Sequence, residues 1–197
     1  MAAGLNDADA ADPGWELLRR VAAGEMEAFA PLVAGHEQRL LRLCERLLGD
    51  VEEARDAAQE VFLKAFRKAG SYRPRGRVYT WLYRIAVNHC LNLLRRRRVV
   101  RFIRLGEGAE EDSATALEPA DGRATPEAEL AARRRWRATR RAIERLPPGQ
   151  RAVLVLVRFE ELSYREAAAV LGITEGAVES RLVRAMRHLE AAQDREG

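Results

Sequence analysis

Leu162-Ser163-Tyr164-Arg165-Glu166-Ala167-Ala168-Ala169-Val170-Leu171-Gly172-Ile173-Thr174-Glu175-Gly176-Ala177-Val178 is the stretch that decides how the chain reads. Ser163 and Glu166 stand three apart, the spacing at which a hydroxyl and a carboxylate cap each other's backbone amides at a helix start. The helix they open is predicted to reach Leu171. Gly172 then turns the chain, and Thr174 caps a last helix running to about Ala192. Ala168, Gly172 and Val178 supply a small residue in the first helix, a turn glycine and an apolar anchor in the second, four and six residues apart. This fits a helix-turn-helix, whose second helix enters the major groove of DNA. An ordinary pair of antiparallel helices fits too, and the two caps favour the first reading. On the last helix Val178, Leu182, Ala185 and Leu189 share an inward face. Ser180, Arg184 and Arg187 look outward, with Arg181 and Val183 to either side.

Helix signals recur outward from there, and strand signals are nearly absent. Thr125-Pro126 starts a helix that ends near Arg145. Leu146-Pro147-Pro148-Gly149 is a break, and a short apolar helix covers about Gln150 to Phe159. Gly106 to about Ala124 is acidic, carries Gly, Ser and Pro, and lacks periodicity, as a linker does. In the N-terminal half, Asp12-Pro13 opens a helix that Gly24 closes. A second helix runs from about Glu25 to Leu48. Asp50 and Glu53, at capping-box spacing, open a third, with Ala54, Ala58, Val61, Phe62, Ala65 and Ala69 on its apolar face. A basic loop, Ser71 to Arg77, leads to a fourth from about Val78 past Leu94, reaching Arg98 at its furthest. The chain reads as all-α: a four-helix module and a helix-turn-helix module on an acidic tether.

Charge is strongly segregated along the 197 residues. The chain carries 34 basic and 30 acidic side chains, yet residues 61–105 hold 13 basic residues and no acidic one. Residues 133–158 hold nine basic and one acidic, whereas residues 1–60 and 106–132 are each net −7. Blocks of this kind point to contact with a polyanion. They also let acidic and basic segments of the two modules attract each other.

On the fourth helix Tyr79, Leu82, Tyr83, Ala86, Val87, Cys90, Leu93 and Leu94 form the apolar arc. Trp81, Arg84, Asn88, Asn92 and Arg95 fall opposite, within about 80° on a helical wheel. A ring that stacks an unpaired base, guanidinia that neutralise phosphate and amides that bond a base edge are what single-stranded DNA requires. The alternative is a Trp81 packed on a neighbouring helix within a solvated basic face. The third helix presents Glu52, Asp56, Gln59, Glu60 and Leu63 opposite its apolar side. That face suits either solvent or a basic protein surface.

Other classes find no support. No apolar run approaches a membrane span, and no basic-then-apolar leader precedes the helices, so the chain is expected to be cytoplasmic. Cys44 and Cys90 make neither a disulfide framework nor a CxxC pair, and both read as buried thiols. His36, His89 and His188 lie on three different helices, and His89 reads as a packed histidine. Asp56 and Glu60 have helical spacing for a metal but no histidine partner. With no phosphate-binding glycine loop and no HExxH, we expect no catalytic centre, no metal and no cofactor.

These motifs also carry a family resemblance. Asp56-x-x-Gln59-Glu60-Val61-Phe62 and Tyr79-Thr80-Trp81-Leu82-Tyr83-Arg84-Ile85-Ala86-Val87-Asn88 resemble region two of a bacterial sigma factor. Leu146-Pro147 with Arg151, then Leu162-Ser163-Tyr164-x-Glu166 and Ser180-Arg181-Leu182-x-Arg184-Ala185, resemble region four. With no third domain between them, the architecture is similar to the extracytoplasmic-function group of the sigma-70 family. The resemblance implies a disordered segment 1–12, region two over 13–104, a linker 105–125, region four over 126–192 and a tail 193–197.

It further implies a non-enzymatic subunit that directs RNA polymerase core to promoters. Asp56, Gln59, Glu60, Phe62 and Leu63 would dock the β′ clamp coiled coil, with the β subunit also in contact. Tyr72, Arg77, Trp81, Arg84, Asn88, Asn92, Arg95 and Arg96 would open the minus-ten element and hold a flipped base. Thr174, Glu179, Ser180, Arg181, Val183, Arg184 and Arg187 would read the minus-thirty-five element. An anti-sigma protein is an implied partner. Three positions depart from the family pattern: Glu179 for a basic residue, Asn92 for a frequent Asp, and Ala167 for a larger aliphatic. The alternative reading is a stand-alone helix-turn-helix regulator that binds its operator without polymerase.

Overall fold

The structure, a computed structural model, describes residues 12–72, 77–104 and 138–193. Every element among the described residues is helical. Helix α1 spans Pro13–Ala22 and opens as its sequence predicts. The Asp12 carboxylate does more than the local signal requires. Its Oδ1 accepts from the Gly14 amide at 2.9 Å, and its Oδ2 accepts from the Val78 amide at 2.8 Å. Val78 is the first residue of α4 (Val78–Arg104), so one carboxylate caps two helices whose donors have no intrahelical partner.

The predicted second helix divides into a 3₁₀ turn, Met26–Ala28, and α2, Phe29–Leu48. Gly49 ends α2 in the left-handed region at φ +80°. A Cβ there would lie 2.8 Å from Glu144 Oε1, so the backbone favours glycine and any side chain would displace the Glu144 carboxylate. Helix α3 spans Val51–Lys68, and its N-cap Asp50 accepts from the Glu53 amide at 2.8 Å. Glu53 sends its carboxylate to Arg97 of α4, so a long-range ion pair claims the group that a capping box would use. A 3₁₀ turn, Ala69–Ser71, follows. Helix α4 extends six residues beyond the Arg98 limit read from the sequence.

In the C-terminal module, α5 is described over residues 138–145. Its predicted start at Thr125-Pro126 and the linker 105–125 lie outside the described residues, as do 1–11, 73–76 and 194–197. The predicted break shortens to Leu146-Pro147. Pro148 is the first residue of α6 (Pro148–Leu154), a position where a missing N–H is harmless. Helix α6 runs into a π-helical turn, Val155–Phe159. Helices α7 (Tyr164–Leu171) and α8 (Glu175–Gln193) form the helix-turn-helix. The capping box is complete: Ser163 Oγ accepts from the Glu166 amide at 3.2 Å, and Glu166 Oε2 accepts from the Ser163 amide at 3.0 Å. Gly172 turns the chain at φ +65°.

Leu18, Leu32, Leu40, Leu43, Leu47, Val61, Leu82 and Val87 fill the first core, and Val153, Leu156, Ala167, Val170, Val178 and Leu182 fill the second. Cys44 and Cys90 are buried free thiols in contact with each other. That contact and burial push the Cys90 thiol well up, so it stays protonated and inert. The two cores join into one buried cluster, because α4 packs on α7 and α6 while α2 also meets α6.

The double cap is open to test. Asp12→Ala is expected to lower unfolding free energy by about 2 kcal/mol, one helix cap at each oxygen. Asp12→Asn should retain roughly half of that, since only its carbonyl oxygen accepts. A urea midpoint unchanged in Asp12→Ala would rule out the shared cap.

Candidate nucleic-acid interface

Helix α4 owes its two-sidedness to sequence spacing alone. Its apolar arc packs on α2 and α3, so the opposite stripe is left at the surface. Arg84, Asn88, Asn92, Arg95 and Arg96 are all exposed along it. Trp81 heads the stripe and falls between the two readings of it. It is half-buried, braced edge-on against Tyr72 with ring centroids 5.1 Å apart at 62°. Bracing fixes the ring while leaving part of it open for stacking. Arg77 is exposed and lies 5.9 Å over the Tyr79 ring. Arg95 donates to Asn92 Oδ1 at 3.0 Å, which orients that amide. Arg73 and Arg75 of the basic loop lie outside the described residues.

On α3, Glu52, Asp56, Gln59 and Leu63 are exposed, Leu63 to 50%. Glu60 is half-buried, with Lys64 Nζ 3.5 Å away. Phe62 is turned from this face. It is 8% exposed and meets the edge of Phe29 at 6.4 Å, so it supports the face from within the core. Lys64 Nζ also lies 2.6 Å from His89 Nδ1. An ammonium only donates, so Nδ1 must accept and the ring is neutral. Burial and then the Lys64 charge hold His89 below its ordinary value, as a packed histidine requires.

On α8, Glu179, Ser180, Val183, Arg184 and Arg187 are exposed on one face. Thr174 Oγ1 accepts from the Ala177 amide at 3.2 Å, which sets the entry of the helix. Arg184 donates to the Ser180 carbonyl at 3.1 Å. Arg181 is half-buried beside Gly149, so it braces α6 as well as edging the outward face. Ala167 is fully buried, and the first helix closes around the smaller side chain.

Sequence reasoning missed a polar junction between the modules. Tyr83 Oη donates to Glu160 Oε2 at 2.5 Å, and Arg46 donates to Glu160 Oε1 at 2.6 Å. Tyr79 Oη donates to Glu166 Oε1 at 2.6 Å. Burial first, then the carboxylate, pushes both tyrosines above their ordinary value, while the Tyr79 hydroxyl holds Glu166 below its own. The α2 carbonyl end gathers three guanidinia: Arg151 donates to Leu47 O at 2.7 Å, Arg97 to Leu48 O at 3.3 Å, and Arg140 to Gly49 O. Arg151, 5% exposed, has its guanidinium held below its ordinary value by burial. Two tyrosines one turn apart, each with a polar tip on an apolar arc, were the only local hint of this junction.

Among the described residues, no group of three or more His, Cys, Asp or Glu is placed to hold a metal, and no helix is long and apolar enough to cross a membrane. A braced tryptophan on a basic helix, joined to a helix-turn-helix with an open outer face, defines a DNA-binding transcription protein. The sigma-70 region 2 family matches residues 32–99, and the sigma-70 region 4 family matches residues 136–189. The chain is 36% identical over 180 residues to the RNA polymerase sigma-H factor of Pseudomonas aeruginosa, covering 90% of this chain and 92% of that one. It is 38% identical over 178 residues to the extracytoplasmic-function sigma factor SigM of Mycobacterium tuberculosis, covering 88% and 81%. Among solved structures, CnrH in complex with the cytosolic domain of CnrY aligns at TM-score 0.64 and 27% identity, covering 93% and 99%. RpoE of Bartonella quintana shares the fold at TM-score 0.66 and 22% identity, covering 84% and 96%.

The chain belongs to the extracytoplasmic-function group of the sigma-70 family. It is a sigma factor, a transcription-initiation subunit, rather than a stand-alone regulator.

The exposed α8 face gives a direct test. Arg184→Ala should weaken promoter binding and reduce the slope of log affinity against log salt by about one, as loss of a single phosphate contact does. A slope identical to wild type would remove Arg184 from the DNA surface.

Proposed function

We propose that this chain brings RNA polymerase core to promoters by dividing the work among three exposed faces. The α3 face, with Asp56, Gln59, Glu60 and Leu63, docks the β′ clamp coiled coil, and Phe62 stiffens that face from behind. The β subunit is a further contact of the assembled holoenzyme. The α4 stripe opens the minus-ten element: Trp81, steadied by Tyr72, stacks on an unpaired base. Asn88 and Asn92 bond to base edges, and Arg77, Arg84, Arg95 and Arg96 neutralise phosphate. The α8 face reads the minus-thirty-five element through Ser180, Arg181, Val183, Arg184 and Arg187, with Thr174 fixing the helix start. Glu179 accepts from a cytosine amine where relatives present a base.

The observation that carries this reading is the half-open Trp81 ring, braced by Tyr72 at the head of an exposed Arg/Asn stripe. A helix serving only solubility has no use for it. The subunit works in the cytoplasm, is not itself a catalyst and is held in check by an anti-sigma protein. The last point is supported by family membership and by CnrH, whose structure holds a second protein.

Run-off transcription with purified bacterial core polymerase, on a library of promoter fragments, tests the whole scheme. Specific new transcripts are expected only when the chain is added. Trp81→Ala and Asn88→Ala should each reduce open-complex formation about tenfold or more, the scale of one lost base contact. Core capture in a pull-down should be unchanged. Parallel loss of core capture and open complexes would overturn the α4 assignment.

A further inference from the structure

Two side chains on the outward face of α8 do not fit a surface that only neutralises phosphate. Glu179 is exposed on the same face as Ser180, Arg184 and Arg187. Phosphates repel a carboxylate there unless it finds a donor of its own. Val183 is 44% exposed, one of four large apolar side chains left so among the described residues. It stands one turn beyond Glu179, where helical side chains four apart are neighbours. An isoleucine-like branched group gains nothing from water on a charged face. Carboxylate and valine together call for a partner that offers a hydrogen-bond donor next to an apolar group.

Base chemistry supplies such a partner. In the major groove guanine shows two acceptors, thymine an acceptor and a methyl, and adenine a donor beside an acceptor. Cytosine alone shows a donor, its N4 amine, with no acceptor on the same edge. A carboxylate only accepts, so it selects cytosine. The ring carbon next to that amine is C5, the position that bears the methyl of thymine and of 5-methylcytosine. One helical turn advances about 5.4 Å, and bases follow each other along a strand at about 3.4 Å. Val183 thus meets the base held by Glu179 or a close neighbour of it. We propose that Glu179 and Val183 read, as a pair, a cytosine amine and a pyrimidine C5 methyl beside it, so that promoter binding by this chain depends on a single methyl group. This rests on the α8 face reading the minus-thirty-five element. The methyl belongs either to a neighbouring thymine or to the cytosine itself in methylated DNA, and the chemistry that recognises it is the same.

The experiment uses the full chain bound to purified bacterial core polymerase, with DNA duplexes randomised across the minus-thirty-five element. The duplexes are made in three forms: with ordinary bases, with uracil for thymine, which removes only the C5 methyl, and with 5-methylcytosine for cytosine, which adds only that methyl. The unmodified chain is expected to select a motif that holds a cytosine, and Glu179→Ala to lose that preference. Loss or gain of the one methyl should change affinity for the selected duplex about fourfold, the scale of one buried CH₂ group. A fall with uracil identifies thymine as its source, and a rise with 5-methylcytosine identifies the methylated base. Val183→Ala, at an exposed position, should bind the three forms equally. A selected motif without cytosine, affinities that no methyl alters, or a methyl response that Val183→Ala retains would each overturn the proposal. If no duplex is enriched and Arg184→Ala leaves the salt slope of DNA binding unchanged, the α8 reading has failed and the proposal falls with it.

Discussion

Helix α4 must satisfy three surfaces at once, and the rest of the molecule is arranged around that constraint. Its apolar arc, with Leu82, Ala86, Val87 and Cys90, closes the first core. Its opposite stripe, Arg84 to Arg96, stays in water. On the apolar arc itself, Tyr79 and Tyr83 stand one turn apart and hand the helix to the second module through their hydroxyls. A 100° step per residue keeps the exposed stripe on the arc opposite both. Asp12 fixes where the helix begins by capping the Val78 amide, and Arg97 ties it to Glu53 further along. The register of one helix thereby sets the positions of the core, the exposed basic stripe and the module junction.

Local chemistry was readable in the sequence wherever partners lie within a few residues. Ser163 with Glu166, Gly172 and Thr174 announce the helix-turn-helix, and each makes the bond its spacing implies. Periodicity likewise put Val178, Leu182 and Ala185 inside and Ser180 and Arg184 outside. The charged stripe of α4 was legible for the same reason. What periodicity cannot carry is a partner distant in sequence. Glu53 stands at capping-box spacing, yet its carboxylate goes to Arg97. Asp12 is a recognisable N-cap, yet its second oxygen serves a residue 66 positions away. The charge blocks suggested that the modules attract, but not that a buried Glu160 meets Arg46 across 114 positions. The wheel placed Phe62 with the apolar side and the family motif placed it with the docking segment. Its packing on Phe29 follows the wheel.

The α2 carbonyl end shows how tertiary structure completes what local sequence leaves open. A helix exposes its last carbonyls and carries partial negative charge there. In α2 the Gly49 amide answers Glu45 alone. Arg151, Arg97 and Arg140 answer from three other helices, at Leu47, Leu48 and Gly49. Gly49 is left-handed and lies against the Glu144 carboxylate, which in turn accepts from Arg140 at 2.8 Å. Arg151 resembled only part of a region-four motif in the sequence. In the fold it is a buried strut between the modules.

A junction of this composition differs in kind from a core. Apolar burial holds surfaces together without direction, whereas Glu160 requires both Arg46 and Tyr83 in place at once. Removing a charged pair from water costs several kcal/mol that geometry must return, so such contacts hold firmly when complete and weakly when one partner shifts. Leu156 and Val155 are buried too, in the apolar cluster that both modules share. Apolar burial therefore also joins the two modules, and the polar contribution sets the register at which they sit.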